Sequence, residues 1–247
     1  LKAFEKAGAR AEVFLVRNLS SDMVIASSEE FAKKVKESQI IFIPGGFSGG
    51  DEPEGSAKFI TAFFRNPNIK EEVNKLVAVR NGLIGGICNG FQALIKLGLL
   101  PNGEIGETDE NSPTLTFNTI SRHQSKIVYT KVASNASPWL NNVKVGEIYA
   151  VPISHGEGRF YASEDIANKL AEKGQIMTQY VDLNGNVTND IKYNPNGSIY
   201  AIEGILSPDG HIFGKMGHSE RIGNGLYKNV NGNYDMKLFE SAVNYFK

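Results

Sequence analysis

Over its first hundred residues the chain alternates short apolar runs with stretches of helical spacing. Leu1 and Phe4 fall on the 3.6-residue period of an amphipathic helix tail, which Gly8 ends. Residues 11–16 (AEVFLV) are apolar and β-branched and predict a buried strand. Ser27 with Glu30 predicts a capping box for a helix running through Lys36. Residues 39–43 (QIIFI) form a continuous apolar strand, of the kind found in parallel sheets covered on both faces. Helical spacing returns over 56–64 and 69–80. A short apolar run at Leu83-Ile84, a predicted sharp turn at Gly85-Gly86 and an amphipathic helix over 91–97 then follow, stopped by Gly98.

Beyond Pro101 the period changes. Residues 114–118, 126–132 and 145–153 predict strands of an antiparallel or mixed insertion, and 163–173 a helix with a serine cap and Gly174 as its stop. Asn184-Gly185 and Pro208-Asp209-Gly210 are hairpin-type turns, the second joining strands over 199–206 and 211–216. Residues 234–246 form a closing helix with Met236, Phe239, Val243 and Phe246 on one face. Strands alternating with helices at this spacing predict an α/β fold. Its sheet is expected to be doubly wound and mostly parallel, with helices on both faces and the β insertion appended. No repeat, low-complexity tract or linker interrupts the pattern, so residues 1–247 are expected to make a single domain.

Composition narrows the function class by exclusion. Lys and Arg number 26 against 27 Asp and Glu, for a net charge of −1, which gives no footprint for nucleic acid or an anionic membrane surface. No apolar run approaches the roughly 20 residues of a membrane span. A single cysteine forbids an intramolecular disulfide and fits a reducing, cytoplasmic setting.

That cysteine, Cys88, sits between a strand and a helix with Gly86 and Gly90 two residues away on either side, the layout of a nucleophile elbow. The helix that follows would aim its partial positive charge at the sulfur. The glycine-rich stretch 44–51 (PGGFSGGD) follows the 39–43 strand. Carboxyl ends of parallel strands gather ligands, so the stretch and Cys88 are expected at one sheet edge. It lacks the Lys-Ser/Thr of a P-loop. It suits an oxyanion hole better, with N–H groups of Gly45, Gly46 and Phe47 joined by the amide of Asn89. A base is needed too. Of the four histidines, His211 follows a hairpin turn and is expected to be exposed. His218 with Glu220 and His155 with Glu157 share an H-x-E spacing that could pair an imidazole with an orienting carboxylate, and spacing alone does not choose between them. No His/Cys/Asp cluster has zinc-ligand spacing, so no metal is expected.

Four segments in order, Pro44-Gly45-Gly46-Phe47-Ser48 with Gly50-Asp51, Gly86-Ile87-Cys88-Asn89-Gly90-Phe91-Gln92, His155-Gly156-Glu157-Gly158-Arg159-Phe160 and Gly217-His218-Ser219-Glu220-Arg221, resemble the class I (triad) glutamine amidotransferases. More narrowly they resemble the glutaminase domains of phosphoribosylformylglycinamidine synthases. The resemblance implies a flavodoxin-like fold. It implies Cys88 as nucleophile, His218 as general base and acid, Glu220 as its orienting carboxylate, Gly46 and Asn89 as oxyanion donors, and Gln92 as a holder of the substrate L-glutamine. His155 then becomes a loop residue shaping the site or the ammonia exit. The implied partner is a synthase catalytic domain, in cis or in trans, which alone would use ATP and magnesium; no cofactor is expected in this domain. Two departures stand out. The family usually carries proline where Ser219 stands, and its domain opens with a strand and a Gly-Thr-Asn loop that would precede Leu1. The chain is therefore expected to be N-terminally truncated relative to the family, as the C-terminal part of a larger fused enzyme. Arg122-His123-Gln124 and Trp139 in the insertion suggest a docking face. The rival readings are another cysteine-elbow enzyme on the same scaffold, peptidase-like or glyoxalase-like, and a non-catalytic partner-binding module.

Overall fold

The computed structural model describes residues 1–46 and 56–247. In chain order the elements are α1 (Lys2–Lys6), α2 (Ser21–Glu37), β1 (Ile40–Ile43), α3 (Lys58–Phe64), α4 (Pro67–Ala78), β2 (Leu83–Ile87), α5 (Asn89–Lys96) and α6 (Leu99–Asn102). They continue with β3 (Thr114–Thr116), β4 (Gln124–Val132), β5 (Ile148–His155), β6 (Arg159–Tyr161), α7 (Glu164–Glu172), β7 (Ile176–Val181), β8 (Ile202–Leu206), β9 (Ile212–Lys215) and α8 (Leu238–Asn244).

Seven strands form one sheet in the order β1-β2-β9-β8-β7-β4-β5, and β3 pairs with β6 in a separate antiparallel ribbon. The α/β class holds. The sheet is mixed: β1, β2 and β9 are parallel neighbours, whereas β9, β8, β7, β4 and β5 run antiparallel in succession. The predicted insertion therefore does not hang beside a parallel sheet but continues it. A continuous apolar sequence explains the parallel part, where every residue of β2 and β9 is buried. The main core gathers Val73 and Leu76 of α4, Ile84 and Ile87 of β2, Phe91 and Leu94 of α5 and Phe213 of β9. A smaller cluster joins Val128 of β4, Val151 and Ile153 of β5, Tyr180 of β7 and Ala201, which immediately precedes β8.

Several predicted elements shift. Residues 11–16 run without a ladder partner among the described residues, with Phe14 and Val16 packed on the core and Val13 and Leu15 exposed. The cap of α2 is Ser20, whose hydroxyl accepts from Met23 N–H; Ser27 is buried mid-helix and its hydroxyl accepts from Arg17 N–H at 3.0 Å. Gly85 and Gly86 belong to β2, so the turn comes at Cys88 itself. The closing helix is confined to 238–244, since Lys237 has a left-handed backbone (φ 55°). Trp139 is fully buried, its indole N–H on the His211 carbonyl and its ring 4.7 Å from Phe213, which removes it from any docking face. His211 is half-buried rather than exposed. Phe47, Ser48, Gly50 and Asp51 lie outside the described residues.

Candidate active site

The carboxyl ends of β1, β2 and β9 deliver Gly45, Cys88 and His218 to one place. Cys88 follows β2 with φ 55° and ψ −110°, a conformation that costs a non-glycine residue about 1–3 kcal/mol and persists only where its surroundings enforce it. They do. The Cys88 backbone N–H is bonded to the Lys215 carbonyl of β9 at 2.9 Å, and α5 begins at the next residue. The flanking glycines are needed for contact: a Cβ on Gly90 would lie 2.0 Å from the Ile43 carbonyl oxygen of β1, and one on Gly86 2.8 Å from that of Gly90. The strained turn is thus set by close approach of β1 and β2 to the start of α5.

A Cβ built on Gly45 would stand 2.7 Å from His218 Cε1 and 3.1 Å from Cys88 Cβ, so the imidazole and the cysteine flank one point. The Cys88 sulfur is directed at the Ser154 carbonyl oxygen, 3.7 Å away. His218 is almost wholly buried, its N–H bonded to the Pro152 carbonyl at 2.8 Å. Its Nδ1 lies 2.6 Å from Glu220 Oε1, while Nε2 makes no hydrogen bond among the described residues. This leaves Nε2 as the ring position able to take a proton.

Burial raises the Cys88 thiol above its ordinary value; the Asn89 N–H opposes it, as do the Arg221 guanidinium and the Gly46 N–H, whereas Glu220 adds to the rise. The resting sulfur is therefore protonated, and two backbone donors converge where negative charge would form. Burial alone would raise the Glu220 carboxyl too, but its hydrogen bond to His218 and its attraction to that residue hold it below its ordinary value.

The other H-x-E pair is built differently. His155 Nδ1 faces Asn118 Oδ1 at 3.2 Å, and Glu157 Oε2 accepts from Ser56 Oγ at 3.1 Å instead of reaching the histidine. Burial, with His123 and His218 nearby, pulls His155 down to about 4. Gln92, buried on α5, donates its amide to the Glu157 carbonyl, tying that loop to the elbow helix. Ser154 and Pro152 were not singled out from the sequence, because they are bonded through backbone carbonyls that any residue type supplies. Among the described residues no group of three or more His, Cys, Asp or Glu side chains could hold a metal ion, and no helix is long and apolar enough to cross a membrane.

The chain as a whole is similar to known proteins. Residues 1–246 match the CobB/CobQ-like glutamine amidotransferase domain. The chain belongs to this family of glutamine amidotransferases. Among its relatives, the phosphoribosylformylglycinamidine synthase subunit PurQ of Methanococcus maripaludis is 36% identical, over 99% of this chain and 91% of that protein. The subunit of the same name from Pseudothermotoga lettingae is 38% identical over 86% of this chain and 80% of its own length. Among solved structures, a chain of PurLQS from Thermotoga maritima superposes with a TM-score of 0.61 at 29% identity, over 89% of this chain and 92% of that one. The glutaminase domain of Trypanosoma brucei CTPS, solved with bound acivicin, shares the fold at a TM-score of 0.53 and 13% identity, over 99% of this chain and 84% of its own.

Proposed function

We propose that this amidotransferase is the glutaminase component of a phosphoribosylformylglycinamidine synthase: it hydrolyses L-glutamine to glutamate and ammonia for amidine formation in purine biosynthesis. The observation that carries the chemistry is the grouping of Cys88, a His218 with its Nε2 unspent and its Nδ1 on Glu220, and the N–H groups of Gly46 and Asn89. The curated PurQ relatives, matched over most of their length, support the choice of pathway.

Glutamine places its side-chain carbonyl carbon beside Cys88. His218 Nε2 takes the thiol proton as the sulfur attacks, and the resulting oxyanion is held by the Gly46 and Asn89 N–H groups, each such donor being worth about 3 kcal/mol in related chemistry. The tetrahedral centre collapses as His218 gives its proton to the nitrogen, the C–N bond breaks and ammonia leaves. Water, deprotonated by the same ring, attacks the thioester; the C–S bond breaks, glutamate departs and Cys88 regains its proton. Glu220 keeps the imidazole in the tautomer that leaves Nε2 available, and steadies the imidazolium between the steps. Gln92, one helical turn past Cys88, helps hold the glutamine, and His155 shapes the site or the ammonia exit. The ammonia passes to an ATP- and magnesium-dependent synthase, fused to this chain or separate from it, in the cytoplasm. No cofactor takes part on this chain.

Labelling with 6-diazo-5-oxo-norleucine tests the reading. The expected adduct is on Cys88, and Cys88→Ser takes up none. His218→Ala is expected to lower glutamine turnover by on the order of 10³-fold or more. A label that persists in Cys88→Ser, or full activity in His218→Ala, would sink the assignment; turnover of a peptide instead of glutamine would favour the peptidase-like rival.

A further inference from the structure

Behind the triad lies an ion pair that the chemistry above does not use. Lys215, the last residue of β9, and Glu203 of β8 meet at 3.3 Å with both side chains fully buried. Replacing a buried pair with uncharged residues of similar size is often neutral or stabilising, so stability alone does not account for it. Its remaining bonds do. Lys215 Nζ donates to Ser219 Oγ at 2.9 Å and to the Gly217 carbonyl at 3.3 Å, while Glu203 Oε1 accepts from the Gly217 N–H at 2.6 Å. Thr178 Oγ1 donates to the other oxygen, Glu203 Oε2. The residues on both sides of His218 are thus held by one pair of charges. The same Lys215 accepts the Cys88 N–H on its backbone carbonyl. One residue is bonded to the nucleophile through its main chain and to the base's segment through its side chain.

We propose that Lys215 and Glu203 are positioning residues that fix the His218 ring relative to Cys88, with Ser219 and Thr178 as their anchors. The inference rests on the triad reading above. Neither charge touches glutamine. The pair acts on where Nε2 stands when the thiol gives up its proton, a placement for which an error of about 1 Å can cost 10²-fold in rate. The sequence of this loop fits the device. Gly217 leaves room for the Glu203 carboxylate, since a Cβ there would lie 2.8 Å from Oε1, and Ser219 offers the hydroxyl that the ammonium needs.

The test uses the natural full-length protein together with its synthase. Lys215→Met with Glu203→Gln removes both charges and keeps their volume; Ser219→Ala removes the hydroxyl that accepts from Lys215 Nζ and donates to Met236 Sδ. The double variant is expected to keep its melting temperature while kcat for glutamine falls by roughly 10²-fold, with KM for glutamine changed by less than about 3-fold. Ser219→Ala should show the same split with a smaller loss of kcat. Wild-type kcat in a folded double variant overturns the proposal, as does a change confined to KM. Should the double variant fail to fold, Ser219→Ala decides: unchanged kcat overturns the proposal, and lowered kcat at constant KM upholds it. Cys88→Ser and His218→Ala are assayed alongside. If both are inactive while the double variant is fully active, the positioning role alone has failed; if either is active, the triad reading has failed.

Discussion

The site uses its side chains sparingly, and Gly45 shows the consequence. Hydrogen there is the only substituent that lets the His218 ring and Cys88 approach from either side. Gly45→Ala is expected to leave the melting temperature within a few degrees and to lower glutamine turnover by at least about 10²-fold, because the added methyl occupies the space between the His218 ring and Cys88. Activity near wild type would show that the two side chains do not meet across this point. His155 gives a different kind of prediction. Its folded value of about 4 lies below the model-peptide 6.5, so the unfolded chain takes up a proton that the folded chain refuses as the pH falls through this window. The associated stability is present above about 6.5 and is lost progressively down to about 4, amounting to about 2 kcal/mol by pH 5. Denaturant midpoints measured from pH 7 to 5 should therefore drop more steeply for wild type than for His155→Asn. Parallel curves would mean that burial does not suppress this protonation. The contact of His218 with Glu220 was one of two that the H-x-E spacing allowed, and the resemblance preferred it. The Lys215–Glu203 pair was not legible in the sequence, since a lysine ending a strand and a glutamate within another give no sign that they meet.

At the scale of elements, the elbow was the most legible part of the chain, because its requirement is steric and falls on glycines at fixed offsets. The contact between α5 and β1 makes that requirement measurable. Gly90→Ala would place its Cβ 2.0 Å from the Ile43 carbonyl, which main-chain rigidity prevents from yielding. The variant is expected to lose several kcal/mol of stability or to fail to fold, unlike the exposed control Gly146→Ala, whose Cβ meets nothing but whose left-handed backbone (φ 92°) adds a modest strain of about 1 kcal/mol. Soluble, fully stable Gly90→Ala would contradict the packing of α5 on β1. Other elements were misread for identifiable reasons. The run at 11–16 has strand composition, but a strand needs a ladder, and composition does not supply its partner. Ser27 looked like a cap because Glu30 follows at capping-box spacing, while its hydroxyl is bonded to Arg17 instead. β7 (Ile176–Val181) escaped notice although it is apolar and β-branched, and it proved central to the sheet.

Over the whole molecule, the decisive feature is one that local sequence does not encode: the sheet curls until its far strand meets its middle. β5 stands at the edge, separated from β9 by β8, β7 and β4. Yet the Pro152 carbonyl of β5 accepts the His218 N–H, the Ser154 carbonyl receives the Cys88 sulfur, and a Cβ on Gly217 would lie 2.7 Å from the Val151 side chain. The site therefore forms between two parts of one sheet, and the small cluster of Val128, Val151, Ile153, Tyr180 and Ala201 holds the curl in place. A matched pair of cavities separates this role from general stability. Val151→Ala opens space in the small cluster behind His218, and Val73→Ala opens comparable space under α4 in the main core. Each should cost about 2 kcal/mol of unfolding free energy by denaturant titration. Only Val151→Ala is expected to lower kcat as well, by about 10-fold, because relaxation into its cavity moves β5 and the backbone that carries His218. Equal kcat in the two variants at equal loss of stability would mean that the curl supports the fold without setting the position of His218.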